Sequence, residues 1–396
     1  MNLGRMRVAY IVHTFAMGGL ERCIARLVNH LDRSRFEPLI VCLNRNGDAA
    51  QWLGVEDVPV YELRKRAGND PRVIGGLKRL LCRERVDLVH SHNWGTLLET
   101  TLARRWARVP CHVHAEHGLE LADLELPGWR RNLRGIVSRW AMRQADIIVC
   151  VAQSVRDKMV ERTGCDVDRI HLIGNGVDVP GLDSLGDQPQ VLRHQLGVNE
   201  DAILLGSIGR LAPVKDFSNA IAATAELVKQ DSDVHLVLVG DGPLRSELTQ
   251  QSRRLGIENR VHLVGQQNHV ALYLASMDIY INSSLSEGMS LSILEAMAAG
   301  RPCVVTDVGG NALLVAGDDP CGMVVPAADP AALAAGIQRL ARDSELRQSL
   351  GQRARIRHRQ TYSTEVMVRR YEQMYLEGIS SLAHRSAPTT AVRVTP

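Results

Sequence analysis

The sequence predicts an α/β protein of two doubly wound domains, each a parallel sheet flanked by helices. Three observations carry this expectation. At 396 residues the chain is longer than one core comfortably serves, and it suits two domains of ordinary size. Short β-branched runs alternate with amphipathic helical patterns along its length, the signature of parallel α/β layers. The alternation pauses once, at PGLDSLGDQPQ over 180–190, and restarts at Ala202.

In the first half the expected strands are RVAYIVHTF, EPLIVCL, PVYEL, DLVHSH, CHVHAEHG, DIIVCVAQ and IHLIGNGV. In the second half they are AILLGSIG, VHLVLVG, VHLVGQ, DIYINSS, PCVVTDV and GMVVP. Helical spacing separates them: Leu20, Ile24, Leu27 and Leu31 fall on one face. The expected domains are 1–179 and 199–362, joined by a linker over 180–198. A last helix occupies 363–382, and 383–396 is a disordered tail. Ligands of open parallel sheets bind beyond the carboxyl ends of the strands. Two such sheets facing each other would hold theirs in the cleft between them.

Composition excludes several classes. Hydrophobic residues make up 45% of the chain, yet no stretch of about twenty is uninterrupted, so no transmembrane helix is expected. The start, MNLGRMRVAYIVHTF, lacks the apolar run and cleavage site of a signal peptide, which predicts a cytoplasmic protein. The eight cysteines form no CxxC pair and sit mostly in apolar segments, against a disulfide framework or a cysteine zinc site. A net charge of +3 gives no argument for nucleic acid.

The richest segment is SLSEGMSLSILEAMAAGRPCVVTDVGG, 284–310. Gly288, Ser290 and Ser292 precede or open a helix that continues through Ala299. Free backbone N–H groups at such a start, with the helix dipole behind them, accept an anion or a hydroxyl. Glu287 stands before the turn and Glu295 eight residues later. If the interval is helical, they lie on the order of 10 Å apart at about 1.5 Å per residue. That span suits two hydroxyl-bearing ends of one ligand, and equally an ordinary surface glutamate and a helix-interior one. SIGRLAPVKDF, 207–217, ends a strand with Arg210 and places Lys215 after a loop. A guanidinium and an ammonium there can clamp a diphosphate and stabilise it as a leaving group, though either alone reads as a solvated charge. Gly240 and Gly242, in VGDGP, permit close backbone approach to a base.

In the first half, Gly18 and Gly19 lie between strand one and its helix, where a phosphate or sugar can come close to the backbone. A tight turn would use the same pair. In HVHAEHGLE, 112–120, alternation puts His112, His114 and Glu116 on one side and leaves His117 at the strand exit. The spacing along a strand fits no compact metal motif, so no metal is expected, and His117 is the candidate for touching substrate.

Together these segments resemble the glycosyltransferases of family GT4, which have the GT-B fold of two Rossmann-like domains. The resemblance runs from MGGLER through GNGVD, GRLAPVKD, VGDGP and SEGMSLSILEAMAAGRP to TDVGG, nearly the whole chain. It implies a nucleotide-sugar donor, UDP- or GDP-linked, bound mainly by the C-terminal domain as a substrate and not a cofactor. It also implies transfer with retention of configuration and no essential metal. Carried over by motif, Arg210 and Lys215 contact the donor diphosphate. Glu287 and the backbone of Gly288, Met289, Ser290 and Leu291 hold sugar hydroxyls, and Glu295 the ribose. His117 corresponds to a histidine near the transferred sugar, and Gly19 to a glycine near the phosphates. The last helix would cross back to the N-terminal domain. Two departures stand out: EGMSL replaces the commoner EGFGL, and Leu313 and Leu314 occupy positions where many relatives carry a glutamate. The pattern is most similar to bacterial transferases that build exopolysaccharide or other surface glycans.

LPGWRRNLRGIVSRWAMRQA, 126–145, carries Arg130, Arg131, Arg134, Arg139 and Arg143 with no acidic residue. Trp129, Leu133, Ile136, Val137 and Trp140 recur at helical spacing. Such a helix can lie on an anionic membrane, or can pack on a core with its basic face solvated. The first alternative predicts an enzyme at the inner face of the cytoplasmic membrane, reaching a glycan or polyprenyl-diphosphate-linked acceptor. No side chain stands out as a covalent nucleophile. Rival readings are a dehydrogenase, for which Gly18–Gly19 lacks the G-x-G-x-x-G pattern, and a non-catalytic two-lobed ligand-binding protein. A sugar-nucleotide 2-epimerase of the same fold is the nearest enzymatic rival.

Overall fold

A computed structural model describes residues 5–16, 18–54, 57–66, 70–117 and 128–386, excepting the side chains of 128–132 and 383–386. The chain divides into two compact units: 1–174 with 367–396, and 175–366. The segment expected as a linker carries a helix, Gln188–Gln195, within the second unit. Arg193 on that helix bonds the Asp278 carboxylate and the carbonyls of Ala202 and Ser276.

The first unit holds β1 (Met6–Val12), β2 (Phe36–Cys42), β3 (Val60–Glu62), β4 (Leu88–His92), β5 (Cys111–Glu116), β6 (Ile147–Cys150) and β7 (Ile170–Leu172). They form one sheet in the order β3-β2-β1-β4-β5-β6-β7, parallel throughout. The second holds β8 (Ile203–Ile208), β9 (Val234–Val239), β10 (Val261–Gly265), β11 (Ile279–Asn282), β12 (Cys303–Thr306) and β13 (Gly322–Val325). Their order, β10-β9-β8-β11-β12-β13, is again parallel. Eleven of the thirteen lie within runs singled out in the sequence, and β1 and β2 each begin one residue before theirs.

Strands covered on both faces must be apolar on both, and the two-residue alternation divides each sheet between two cores. In the first unit Val8, Tyr10 and Val12 pack with Ile24 and Leu27 of the helix Gly19–His30. Ala9 and Ile11 face Val73 and Leu77 of Arg72–Arg83. In the second, Leu205, Leu236 and Ile279 meet Ala220 and Leu333 on one side. Leu204, Val237 and Tyr280 meet Ile293 and Leu294 on the other.

Some helix starts are closed by side chains. Asp329 accepts from Ala332 N, with Pro330 in the first turn, and Asp343 accepts from Leu346 N. The last helix, Thr364–Ser386, opens with Ser363 accepting from Val366 N. It runs four residues past the expected start of the tail, and 387–396 lie outside the described residues. Met367, Val368, Tyr371, Met374 and Tyr375 recur at helical spacing and are buried in the first unit's core. The Tyr375 hydroxyl lies 3.1 Å from that of Tyr10 and 2.8 Å from His90 Nδ1.

Tyr375→Phe leaves His90 Nδ1 and the Tyr10 hydroxyl without that buried partner, and should cost about 1–3 kcal/mol. Urea unfolding followed at the first unit should show the lowered midpoint, and an unchanged midpoint would refute this account of the bond.

Candidate functional site

The sequence-predicted residues of the second unit gather where β8, β9, β11 and β12 end. β8 is followed by Gly209, exposed Arg210, and a 3-10 turn, Pro213–Lys215. The loop after β11 lies against this turn: Leu285 N donates to Val214 O at 2.8 Å, and Ser283 Oγ to Lys215 O at 2.9 Å. Its Glu287 accepts at one oxygen, Oε1, from Lys215 Nζ at 2.5 Å and Ser284 Oγ at 2.8 Å, with Asn282 Nδ2 at 3.5 Å. Both members of the ion pair are largely withdrawn from water, so the interaction is screened less than a surface pair. Glu287 Oε2 carries no hydrogen bond to a described residue. Arg210 forms no ion pair with one.

Beneath Glu287 lies a polar layer that sequence reasoning missed. Fully buried Asn311 donates to Asn282 Oδ1 at 3.0 Å and to Thr306 O at 3.3 Å. Thr306 Oγ1 donates to Ser284 O at 2.7 Å. TDVGG then finds its reason. A Cβ on Gly309, at φ +55°, would lie 1.7 Å from Glu287 O. Gly310 N donates to Gly288 O at 2.9 Å. The glycines let one loop lie on the other.

The turn leads into the helix Leu291–Ala298, capped at Ser290. Ser290 contributes no side-chain cap, so the first amides of the helix are not satisfied by it. Glu295 is buried within that helix. Met289, the departure from EGFGL, accepts at Sδ from Asn175 N at 3.2 Å, which pins the GNGVD segment. The close approach foreseen at Gly240 is to the chain itself: a Cβ there would stand 2.0 Å from Gly209 O, at φ +138°. Gly242 packs likewise on the backbone of Leu211.

In the first unit Gly18 precedes the helix Gly19–His30 in extended conformation. A Cβ on Gly18 would lie 2.3 Å from the Glu21 carboxylate, whose pKa is raised by burial. The sequence-predicted phosphate approach therefore has an acidic group beside it.

The histidines divide by strand register. Ser91 pairs with His114 in the sheet, and Ser91 Oγ lies 2.8 Å from both His112 Nε2 and His114 Nδ1. All three are fully buried, so Ser91 offers no accessible nucleophile. On the other face His90 and His92 lie 4.2 Å apart between ring centres, tilted by 38°. His92 Nδ1 reaches His117 Nε2 at 3.1 Å. His117 N also donates to Asn93 Oδ1 at 3.0 Å, which seats it at the carboxyl end of β5. The rest of the EHGLE motif, 118–120, is outside the described residues. No metal-binding group of three His, Cys, Asp or Glu side chains occurs among the described residues. The alternation D-L-V-H-S-H was the available signal for the His90–His92 pair, but only the register names its partners.

The basic segment forms a helix, Gly128–Gln144. It buries Ala141 and Met142, yet leaves Leu133, Ile136 and Trp140 exposed by 54%, 57% and 40%. Arg139 and Arg143 are exposed, whereas Arg134 stacks over the Trp94 ring at 4.8 Å. The side chains of Trp129, Arg130 and Arg131 are outside the described residues. No described helix is long and apolar enough to cross a membrane.

Burial lowers the pKa of His90, His92 and His112 well below the usual imidazole value, and that of His117 to about 3, with neighbouring imidazoles adding to each. The unfolded chain therefore takes up protons near pH 6.5 that the folded chain refuses. Their contribution to stability is complete above that pH and is lost as pH falls below it. The loss per histidine is up to about 1.4 kcal/mol per pH unit. Denaturant titrations between pH 7.5 and 5 should show stability dropping steeply below 6.5; a flat profile contradicts neutral burial.

Comparison with known proteins agrees with the fold. The family model described as glycosyl transferases group 1 matches residues 190–357, and that described as Glycosyltransferase Family 4 matches 17–179. The D-inositol 3-phosphate glycosyltransferase of Corynebacterium efficiens is 30% identical, over 77% of this chain and 74% of its own. The UDP-Gal:alpha-D-GlcNAc-diphosphoundecaprenol alpha-1,3-galactosyltransferase of Escherichia coli is 25% identical, over 78% and 82%. The crystal structure of Anabaena Alr3699/HepE in complex with UDP superimposes with a TM-score of 0.80 at 22% identity, covering 94% of this chain and all of that one. Two parallel Rossmann-like sheets, the strand-end loops of the second and these matches have one conclusion: the chain belongs to the group 1 glycosyl transferases of family GT4, with the GT-B fold.

Proposed function

We propose that this glycosyltransferase moves a sugar from a UDP-linked donor to a polyprenyl-diphosphate-linked glycan, with retention of configuration, during synthesis of a bacterial surface polysaccharide. The observation that carries the donor half is the Lys215–Glu287 pair. Among the described residues Glu287 is held through Oε1 alone, so its Oε2 is left for sugar hydroxyls. Lys215 and exposed Arg210 supply positive charge beside the start of Leu291–Ala298. Those charges and the helix dipole stabilise the departing diphosphate without a metal ion. The Escherichia coli relative, named for UDP-Gal and a diphosphoundecaprenol acceptor, and the UDP complex of HepE support UDP over GDP and a lipid-linked acceptor.

Calorimetry in EDTA-containing buffer should detect UDP binding in preference to GDP and ADP. Lys215→Ala should weaken it by about 1.5–3 kcal/mol, the worth of a charged hydrogen bond. Absence of nucleotide binding by folded protein sinks the donor site. Conversion of a sugar nucleotide without an acceptor would assign a 2-epimerase instead.

The acceptor half of the proposal places the enzyme at the inner face of the cytoplasmic membrane. Leu133, Ile136 and Trp140 form an exposed apolar stripe on the helix Gly128–Gln144, flanked by exposed Arg139 and Arg143. A basic amphipathic helix of this kind is attracted to anionic lipid by about 1 kcal/mol per cation near the surface. The protein should float with vesicles containing phosphatidylglycerol and not with pure phosphatidylcholine. Ile136→Glu with Trp140→Glu should abolish flotation. Equal recovery on both lipids removes the electrostatic part of the proposal.

A further inference from the structure

His117 is held at its ring by a single described side chain, and that side chain determines which of its nitrogens carries the proton. His92 Nδ1 lies 3.1 Å from His117 Nε2. His92 itself has little freedom. It is 3% exposed, its backbone N donates to Thr96 Oγ1 at 3.0 Å, and its ring stacks on Tyr10 and lies tilted against His90. His90 does not compete for it, because His90 Nδ1 is engaged with the Tyr375 hydroxyl.

Only one proton can lie between His92 Nδ1 and His117 Nε2 when both rings are neutral. If His117 donates, His92 must carry its own proton on Nε2, which is buried without a hydrogen-bond partner. If His92 donates, that buried Nε2 is a bare acceptor. Orphaned buried donors are rarer in proteins than under-satisfied acceptors, so the second arrangement is favoured. We propose that His92 is a positioning residue that locks His117 in the Nδ1–H tautomer, so that His117 offers the substrate a hydrogen-bond donor and not a base.

Burial disfavours the charged form of both rings, consistent with a neutral pair. In the favoured arrangement His117 Nε2 is occupied by the bond from His92. Its Nδ1, which bonds no described residue, carries the N–H, a group suited to a sugar hydroxyl oxygen. This rests on the reading that His117 meets the transferred sugar, but the tautomer can be measured independently of it.

Long-range proton–nitrogen correlation spectra of the full-length protein, with His117 assigned by loss of its signals in His117→Gln, report the tautomer directly. The wild type should show Nδ1 protonated and Nε2 bare at neutral pH. His92→Phe keeps a planar ring but removes the donor, and should return His117 toward the Nε2–H form that free imidazole side chains prefer. Turnover of the sugar nucleotide used by the wild type should then fall about tenfold, the worth of roughly one hydrogen bond, with donor KM within about twofold. His92→Asn, whose amide can donate from the Nδ1 position, should restore the Nδ1–H signature. An Nε2-protonated His117 in the wild type overturns the proposal, as does an unchanged tautomer in folded His92→Phe. If His92→Phe does not fold, the wild-type spectrum still decides. Full activity in His117→Ala would instead refute the role of His117 at the sugar, leaving the tautomer assignment standing.

Discussion

The ion pair between Lys215 and Glu287 joins the loop that follows β8 to the loop that follows β11, and the ordered edge of the second unit is arranged around it. Parallel strands end with backbone groups that no neighbour claims, so the loops beyond them need other means of being fixed. Here a charge pair fixes two loops at once. Buried amides below it keep the carboxylate aimed, and Gly309 removes the side chain that would push the Glu287 backbone off the loop after β12. An anionic ligand entering such a place meets cations whose partner is already in position, and little reorganisation remains to be done.

The first unit follows a different plan. Its sheet buries imidazoles, phenols and a hydroxyl on both faces. Ser91, His112 and His114 serve one face, and Tyr10, His90, His92 and Tyr375 the other. Neutral rings can be buried at far lower cost than charges, and they carry direction, since each nitrogen either donates or accepts. The second unit thus presents fixed charge at its strand ends, whereas the first adds directed hydrogen bonds inside its sheet.

The strands were legible in the sequence because those covered on both faces must be apolar on both, as in VAYIV or VHLVLV, and few other segments tolerate that composition. The glycine motifs were legible as positions of close approach, but not what approached. Gly240 and Gly309 meet this chain's own carbonyls, which only the fold brings near. Partners of polar residues were the least legible. His90 finds Tyr375 across 285 positions and Asn282 finds Asn311 across 29. Such pairings depend on how a helix docks on its sheet, which no local pattern encodes. The helix at 188–195 was hidden for a related reason. Its Pro, Gly and Asp neighbours interrupt the apolar rhythm, and its place is secured by one arginine reaching β8 and Asp278.

The first unit is discontinuous: the chain leaves it after Gly174 and returns at Met367. During synthesis the face of β1 that carries Val8 and Tyr10 must wait for Tyr371 and Tyr375, which follow the whole second unit. At about 5–20 residues per second, the intervening segment takes roughly 10–40 s to make. The second unit has all its strands in one stretch and can close in that interval, whereas the first emerges from the ribosome earliest with part of its apolar surface uncovered. Val8 and Tyr10 thus stay uncovered until the second unit has been made, and a truncation that removes Tyr371 and Tyr375 leaves them uncovered for good.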